Sequence, residues 1–171
     1  GMRYSLSSLR EELNLPSFLK SASIEKEIID GWINKCINRP ESLAERESVE
    51  QVIEEYLAFS AGKIALERHV GKYELIYTPF GESFALTGKD LSNIKTVIGI
   101  GGVIVNAINP IEILKSVEKS REDIKFAKPI MPNYFIDKSY IFSSMGLLSK
   151  EYPHLAHKLL RENIVQVNTN N

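Results

Sequence analysis

At 171 residues, with 21 Lys and Arg against 22 Asp and Glu, the chain can bury one good core and has no general electrostatic pull on nucleic acid or anionic membrane. Its single cysteine, Cys36, rules out an intrachain disulfide and suits a reducing compartment. No apolar run reaches membrane-spanning length and no signal-peptide pattern opens the chain, so the expectation is a soluble cytoplasmic protein of one domain or two small lobes.

The first third reads as helices. Ser8-Leu9-Arg10-Glu11 has capping-box spacing, and Leu6, Leu9 and Leu13 share a helical stripe. Leu15-Pro16 ends that element, because the residue before proline avoids the α region. Ser23 is the expected N-cap of a second helix. Ile24, Ile28, Trp32 and Cys36 recur in it every fourth residue, with Ile29, Ile33 and Ile37 widening the stripe. Asn38-Arg39-Pro40 stops it. Ser42-Leu43-Ala44-Glu45 is another capping-box pattern, and a long helix follows with Val49, Val52, Ile53, Tyr56, Leu57, Ala61 and Ile64 on one face. Gly71 is its natural stop. Trp32 and Cys36 are read as core packing rather than as a ligand or redox pair.

The middle switches to strands. Tyr73 to Thr78 is rich in aromatic and branched residues, Pro79-Phe80-Gly81-Glu82 supplies turn chemistry, and Ser83 to Leu86 returns as a second strand. A loop, Thr87 to Ser92, leads to Thr96-Val97-Ile98, which reads as a buried strand. In that loop Asp90 is a turn cap, and Lys89 is either a phosphate contact or a solvated loop lysine. Three glycines in four residues follow, Gly99, Gly101 and Gly102. Glycine lets another group approach the backbone closely, and strand-to-helix turns of this kind are where α/β sheets place nucleotides. A structural turn explains the same residues.

Two stronger nucleotide motifs fail. The dinucleotide fingerprint needs a small residue where Ile104 stands. A P-loop needs Ser or Thr after Gly88-Lys89, where Asp90 stands, and a glycine at the position of Ser83. The remaining reading is the turn that packs against adenosine in sugar kinase, actin and Hsp70-type ATPases. Asn109-Pro110-Ile111-Glu112 is a well-formed helix start. It lies well beyond Gly102, so a base or sugar over the turn is expected rather than a phosphate on a helix dipole.

Towards the C-terminus, Tyr134-Phe135-Ile136 predicts a short strand. Asp137 is the expected cap of a helix carrying Tyr140, Ile141, Met145 and Leu148, with Ser143, Ser144 and Gly146 as small residues for close packing. Pro153 opens a last helix with Leu155, Leu159 and Ile164 inward, and the chain frays from Val165 onward. His154 and His157 lack further ligands near them in sequence, so no metal site is expected. No Ser/His/Asp or Cys/His signature is present, and Glu50, Glu54 and Glu55 read as a solvated helix face. A basic stripe with interleaved aromatics is also missing, so nucleic-acid binding has no support.

As a set, several segments resemble the C-terminal part of the MutL/GlmL family, accessory proteins of coenzyme-B12-dependent glutamate (methylaspartate) mutase that are unrelated to mismatch-repair MutL. The resemblance rests on Arg68-His69-Val70-Gly71, Thr78-Pro79-Phe80-Gly81, Gly88 to Ser92 and Val97 to Val103. It continues through Asn133 to Ile141, Met145 to Leu148 and Glu151-Tyr152-Pro153, and Gly1 to Tyr4 is similar to the end of that family's D-L-G-M-R segment. It implies part of an Hsp70/actin-like ATPase, a reactivating chaperone that uses ATP to exchange damaged cobalamin. Gly99, Gly101, Gly102 and Val103 would then form the adenosine turn, with Lys89 as a further contact. The segment from Asp137 to Gly146 is similar to the second connecting helix, with a longer aspartate-to-glycine spacing than usual. Ile100 stands where the family commonly has threonine.

The resulting expectation is an α/β chain: a helical subdomain (1–48), an adenosine-side ribonuclease-H-like half-lobe with a mixed sheet (49–167), and a disordered tail (168–171). The ligand is ATP or ADP with Mg, whose metal ligands lie outside these residues, and no direct cobalamin site is expected. The partners are cobalamin-dependent mutase subunits and the N-terminal ATPase lobe, with no nucleic acid and no membrane. Without that lobe the chain is not expected to hydrolyse ATP. Two alternatives stay open: an interaction module of the same family without nucleotide contact, and an unrelated α/β domain whose glycine turn is structural.

Overall fold

The computed structural model describes residues 2–13, 15, 18, 19 and 23–167. Gly1, the expected stop at Pro16 and the expected disordered tail (168–171) lie outside them. The apolar stripes of the first seventy residues converge on one core. Helices α1 (Leu6–Glu12), α2 (Lys26–Asn38) and α3 (Val49–His69) bury Leu6, Leu9, Ile29, Trp32, Ile33, Cys36, Ile53 and Leu57 together. Phe18 joins them, its ring stacked 3.7 Å from that of Tyr56. Burial of Tyr56 pushes its hydroxyl pKa up, more than a hydrogen bond with Ser60 lowers it.

The helix starts differ from the expected ones. α1 begins at Leu6 after a 3-10 turn over Met2–Ser5, so Ser8 lies inside the helix. Ser23 is left-handed (φ 53°), which is not a capping geometry, and α2 starts after an extended Glu25. α3 starts at Val49, not near Ser42. Glu47 (φ 62°) breaks any helix upstream, and Ser48 provides the better cap. Its hydroxyl accepts from Gln51 N at 3.2 Å, while Gln51 Oε1 accepts from Glu47 N at 2.7 Å. Both pairs satisfy amides that a helix start leaves without partners.

Strands β1 (Lys72–Thr78) and β2 (Gly81–Thr87) form the expected hairpin, in register from Lys72 opposite Thr87 to Thr78 opposite Gly81. Two glycines cross at its base. A Cβ on Gly88 (φ 102°) would stand 2.9 Å from Gly71 Cα, so neither position has room for a side chain. Main-chain bonds then tie the base to a distant loop: Gly71 N to Lys89 O, Ala127 N to Gly71 O, and Tyr73 N to Lys125 O. Beneath them Lys128 is fully buried, its Nζ 2.9 Å from Glu67 Oε1 and 3.1 Å from Asp123 Oδ1. Burial pushes the Asp123 carboxyl up, but the Ser120 amide and hydroxyl and the Lys128 ammonium outweigh it and hold its pKa below the usual value.

A second sheet has the order β3 (Thr96–Gly99), β4 (Asn133–Asp137), β5 (Ile164–Val167). β3 runs parallel to β4 and β5 antiparallel to it, so the sheet is mixed and the chain is α/β, as expected. Short helices α4 (Gly102–Val105) and α5 (Pro110–Leu114) cross between β3 and β4 and pack Ile111 and Leu114 on Tyr134 and Ile136. Helices α6 (Phe142–Leu148) and α7 (Pro153–Asn163) follow β4. α6 starts later than expected: Tyr140 (φ 55°) and Ile141 precede it, and Asp137 ends β4 instead of standing at the N-cap, although its carboxylate accepts from Ile141 N and Phe142 N.

Three details depart from expectation. β3 is an edge strand, so it is not a buried one: Thr96 and Ile98 are exposed and Gly99 alone is buried. α7 turns Ala156 inward and leaves Leu155 exposed. Ile164 and Val165 belong to β5 rather than to a helix face and a frayed end, because β4 offers them an open edge to pair with.

Candidate functional site

β3 stops at Gly99, and the chain turns at once into α4 with Gly101 as its N-cap. The expected gap between the glycines and a helix is therefore absent, although a four-residue helix carries little of a macrodipole. Each glycine has its own reason. A Cβ on Gly99 would stand 2.8 Å from Ile104 Cγ2 and 2.8 Å from Leu114 Cδ2, so this position lets the strand end pass under both helices. Gly101 (φ 102°, ψ 155°) occupies a region that only glycine enters without strain. Gly102 is under neither constraint, since the nearest atom to an added Cβ is Tyr140 Oη at 3.4 Å. What Gly102 leaves open is space.

That space belongs to a cleft of about 750 Å³. Gly102, Val103 and Asn106 form one wall. The opposite wall is the N-terminal part of α3, with Gln51, Glu54 and Glu55, and the rim carries Tyr4, Leu43 and Arg46. The two walls are bolted together. Gln51 Nε2 donates to Asn106 O at 3.0 Å, and Ile108 N donates to Glu55 Oε1 at 2.6 Å. Asn106 in turn donates from Nδ2 to Gly102 O at 2.9 Å, so the cap of α3 and the glycine helix are held in one frame.

The site residues expected from the sequence fall into three groups. Gly102 and Val103 line the cleft. Gly99 and Gly101 stand behind it and shape the turn. Lys89 is elsewhere, exposed at the hairpin base with its Nζ 3.0 Å from His69 Nε2, and is not among the lining residues. Asp90 beside it caps its own turn, and hydrogen bonds from Ser92 hold its pKa below the usual value.

Sequence reasoning missed Glu54. Its neighbours on the supposed solvated face, Glu50 and Glu55, are half-buried, but Glu54 itself is buried and its Oε1 accepts from Trp32 Nε1 at 2.7 Å. A buried indole needs an acceptor, and that requirement was the signal available in the sequence. Among the described residues no three or more His, Cys, Asp or Glu come together as metal ligands. None of the described helices is long and apolar enough to cross a membrane.

The architecture is thus an α/β chain with a ligand-sized cleft at a strand–glycine–helix turn. Residues 1–164 match the family model described as MutL protein, and the chain belongs to the MutL family. It is 39% identical over 172 residues to Protein MutL of Clostridium tetanomorphum, in an alignment covering 98% of this chain and 36% of that protein. The chain therefore spans about a third of the length of the curated relative it matches. No solved structure matches it.

Proposed function

We propose that the cleft between α3 and the Gly101-Gly102 turn takes the adenosine end of ATP or ADP. The observation that carries this reading is the position of Gly102: it has room for a side chain, carries none, and faces a cleft of about 750 Å³. That volume lies in the range of small-molecule sites, about 300–1,000 Å³. Gly102 adds no side chain to its wall and Val103 a small apolar one, which suits a flat base, and the rim supplies an aromatic ring and a guanidinium, Tyr4 and Arg46.

On this reading the chain is the adenosine-side, C-terminal part of an ATP-dependent reactivating factor for an adenosylcobalamin-dependent glutamate mutase. Its ribonuclease-H-like half-lobe faces an N-terminal ATPase lobe that supplies the phosphate contacts and the Mg ligands, and its setting is the cytoplasm. The segment from Asp137 to Gly146, whose Tyr140 hydroxyl reaches the glycine turn, is the hinge side of the cleft. These residues by themselves lack the means for phosphoryl transfer, which depends on positioned metal and phosphate donors. The mutase subunits are partners of the whole protein, and cobalamin is handled outside this chain.

The test is calorimetry on the full-length protein with Mg-ADP, comparing wild type with Gly102→Val. An added Cβ at Gly102 meets its nearest atom, Tyr140 Oη, at 3.4 Å, an ordinary van der Waals contact, and a valine side chain adds bulk to a residue that lines the cleft. Binding at least tenfold weaker, about 1.4 kcal/mol, is the expected outcome. Unchanged affinity in a folded variant contradicts the reading.

A further inference from the structure

Both faces of the β1–β2 hairpin are largely open among the described residues, and one of the two is aromatic. Residues directly opposite in an antiparallel pair point to the same side. The register therefore puts Tyr73, Leu75 and Tyr77 on one face with Leu86, Phe84 and Glu82. Tyr77 is 78% exposed and Phe84 70%, and Phe80 at the tip is 99% exposed. A two-stranded hairpin is marginal in water unless it packs on something, and patches of this kind mark protein contacts. The base of this hairpin is rigid, fixed by the Gly71-Gly88 crossing and the bonds to Lys125 and Ala127. The turn is fixed too: Thr78 Oγ1 donates to Gly81 O and accepts from Phe80 N. A stiff arm with an aromatic face results.

We propose that this face packs on the same face of a second copy of the chain, with the two hairpins antiparallel, so that the tip of each lies over the base of the other. Two observations favour a second copy. The first is charge. The only acidic group on the face is Glu82, next to the tip, and the base is topped by Lys119, whose Nζ stands 5.7 Å from the Tyr73 ring centroid. A two-fold axis through the middle of the face brings Glu82 of each copy to Lys119 of the other. The face is thus complementary to itself, as an isologous interface must be. The second is area. Aromatic side chains carry about 150–250 Å² each, so the exposed fractions at Tyr77, Phe84 and Leu75, with Phe80 at the tip, leave at most on the order of 600 Å² per copy. Two copies would bury up to about 1,200 Å², the low end for a specific interface and the size of a weak, micromolar one. The inference is independent of what the cleft binds.

The test is analytical ultracentrifugation of the full-length protein at concentrations up to about 100 µM, a range that reveals micromolar dimers. Wild type is expected to dimerise, and Tyr77→Ser with Phe84→Ser to weaken dimerisation by roughly 30-fold or more, as hot-spot residues do. Glu82→Lys and Lys119→Glu provide surface variants that leave the hairpin core alone. Each should weaken the dimer, and the double exchange should restore it. A monomer throughout the range overturns the proposal, with the face then covered by other parts of the longer protein or by a different partner. A dimer indifferent to all four substitutions overturns it equally.

Discussion

Gly101 and Gly102 are neighbours with opposite tolerances. Gly101 adopts a backbone conformation that strains any other residue, whereas Gly102 has helical backbone and an added Cβ there would make only van der Waals contact. Gly101→Ala should therefore cost about 1–3 kcal/mol of folding stability, measured by urea denaturation. Gly102→Ala should cost less than about 1 kcal/mol in the same assay. Equal losses at the two positions would contradict the separation between a residue that shapes the turn and one that faces the cleft.

Two titrating side chains have shifted pKa values that bear on stability at the extremes of pH. Asp123 has a depressed pKa in the folded state, so its stabilisation is complete above the unfolded carboxyl value, about 3.9, and disappears as pH falls through the lower folded value. Asp123→Asn should remove part of the acid-side loss of thermal stability below about pH 4. Tyr134 is the alkaline counterpart. Burial raises its pKa, and so does its 2.5 Å hydrogen bond to the Glu118 carboxylate. The unfolded chain ionises Tyr134 near pH 10 while the folded chain resists, so stability falls as pH rises beyond about 10. Tyr134→Phe should flatten that alkaline fall in a melting series. An unchanged profile would mean that another group governs it.

At the scale of elements, what local chemistry determines was legible and what distant pairing determines was not. The hairpin announces itself through branched and aromatic runs on either side of Pro79 to Gly81. β4 was legible for similar reasons. β5 was not, because four residues become a strand only where β4, thirty residues earlier, leaves an edge open. Helix starts misled because serine is common ahead of helices. Ser42 and Ser48 both have credentials, and Glu47 in a left-handed conformation decides between them. Ser48→Ala should accordingly cost about 1 kcal/mol, whereas Ser42→Ala should leave α3 unaffected. Glu54 was misread because burial of a carboxylate depends on Trp32, on a different helix.

At the scale of the molecule, α3 joins the parts. Its apolar face completes the helical core through Ile53 and Leu57, and its polar N-terminal turns hold the glycine helix through Gln51 and Glu55. The candidate site thus forms where two packing units meet. The glycines were visible in the sequence, but the wall opposite them was not, since Gln51 and Asn106 are distant along the chain. Family membership rests on a match over residues 1–164, and the curated relative is nearly three times as long as the part aligned here.

The most direct measurement is a methyl NMR titration of full-length, Val- and Leu-labelled protein with Mg-ADP. Saturable shifts are expected at Val103, Val105 and Leu43, which line the cleft, with Leu75 and Leu86 in the hairpin unmoved. Saturable binding that leaves Val103 and Val105 unshifted, or no shift at millimolar nucleotide, would contradict an adenosine site at the glycine turn.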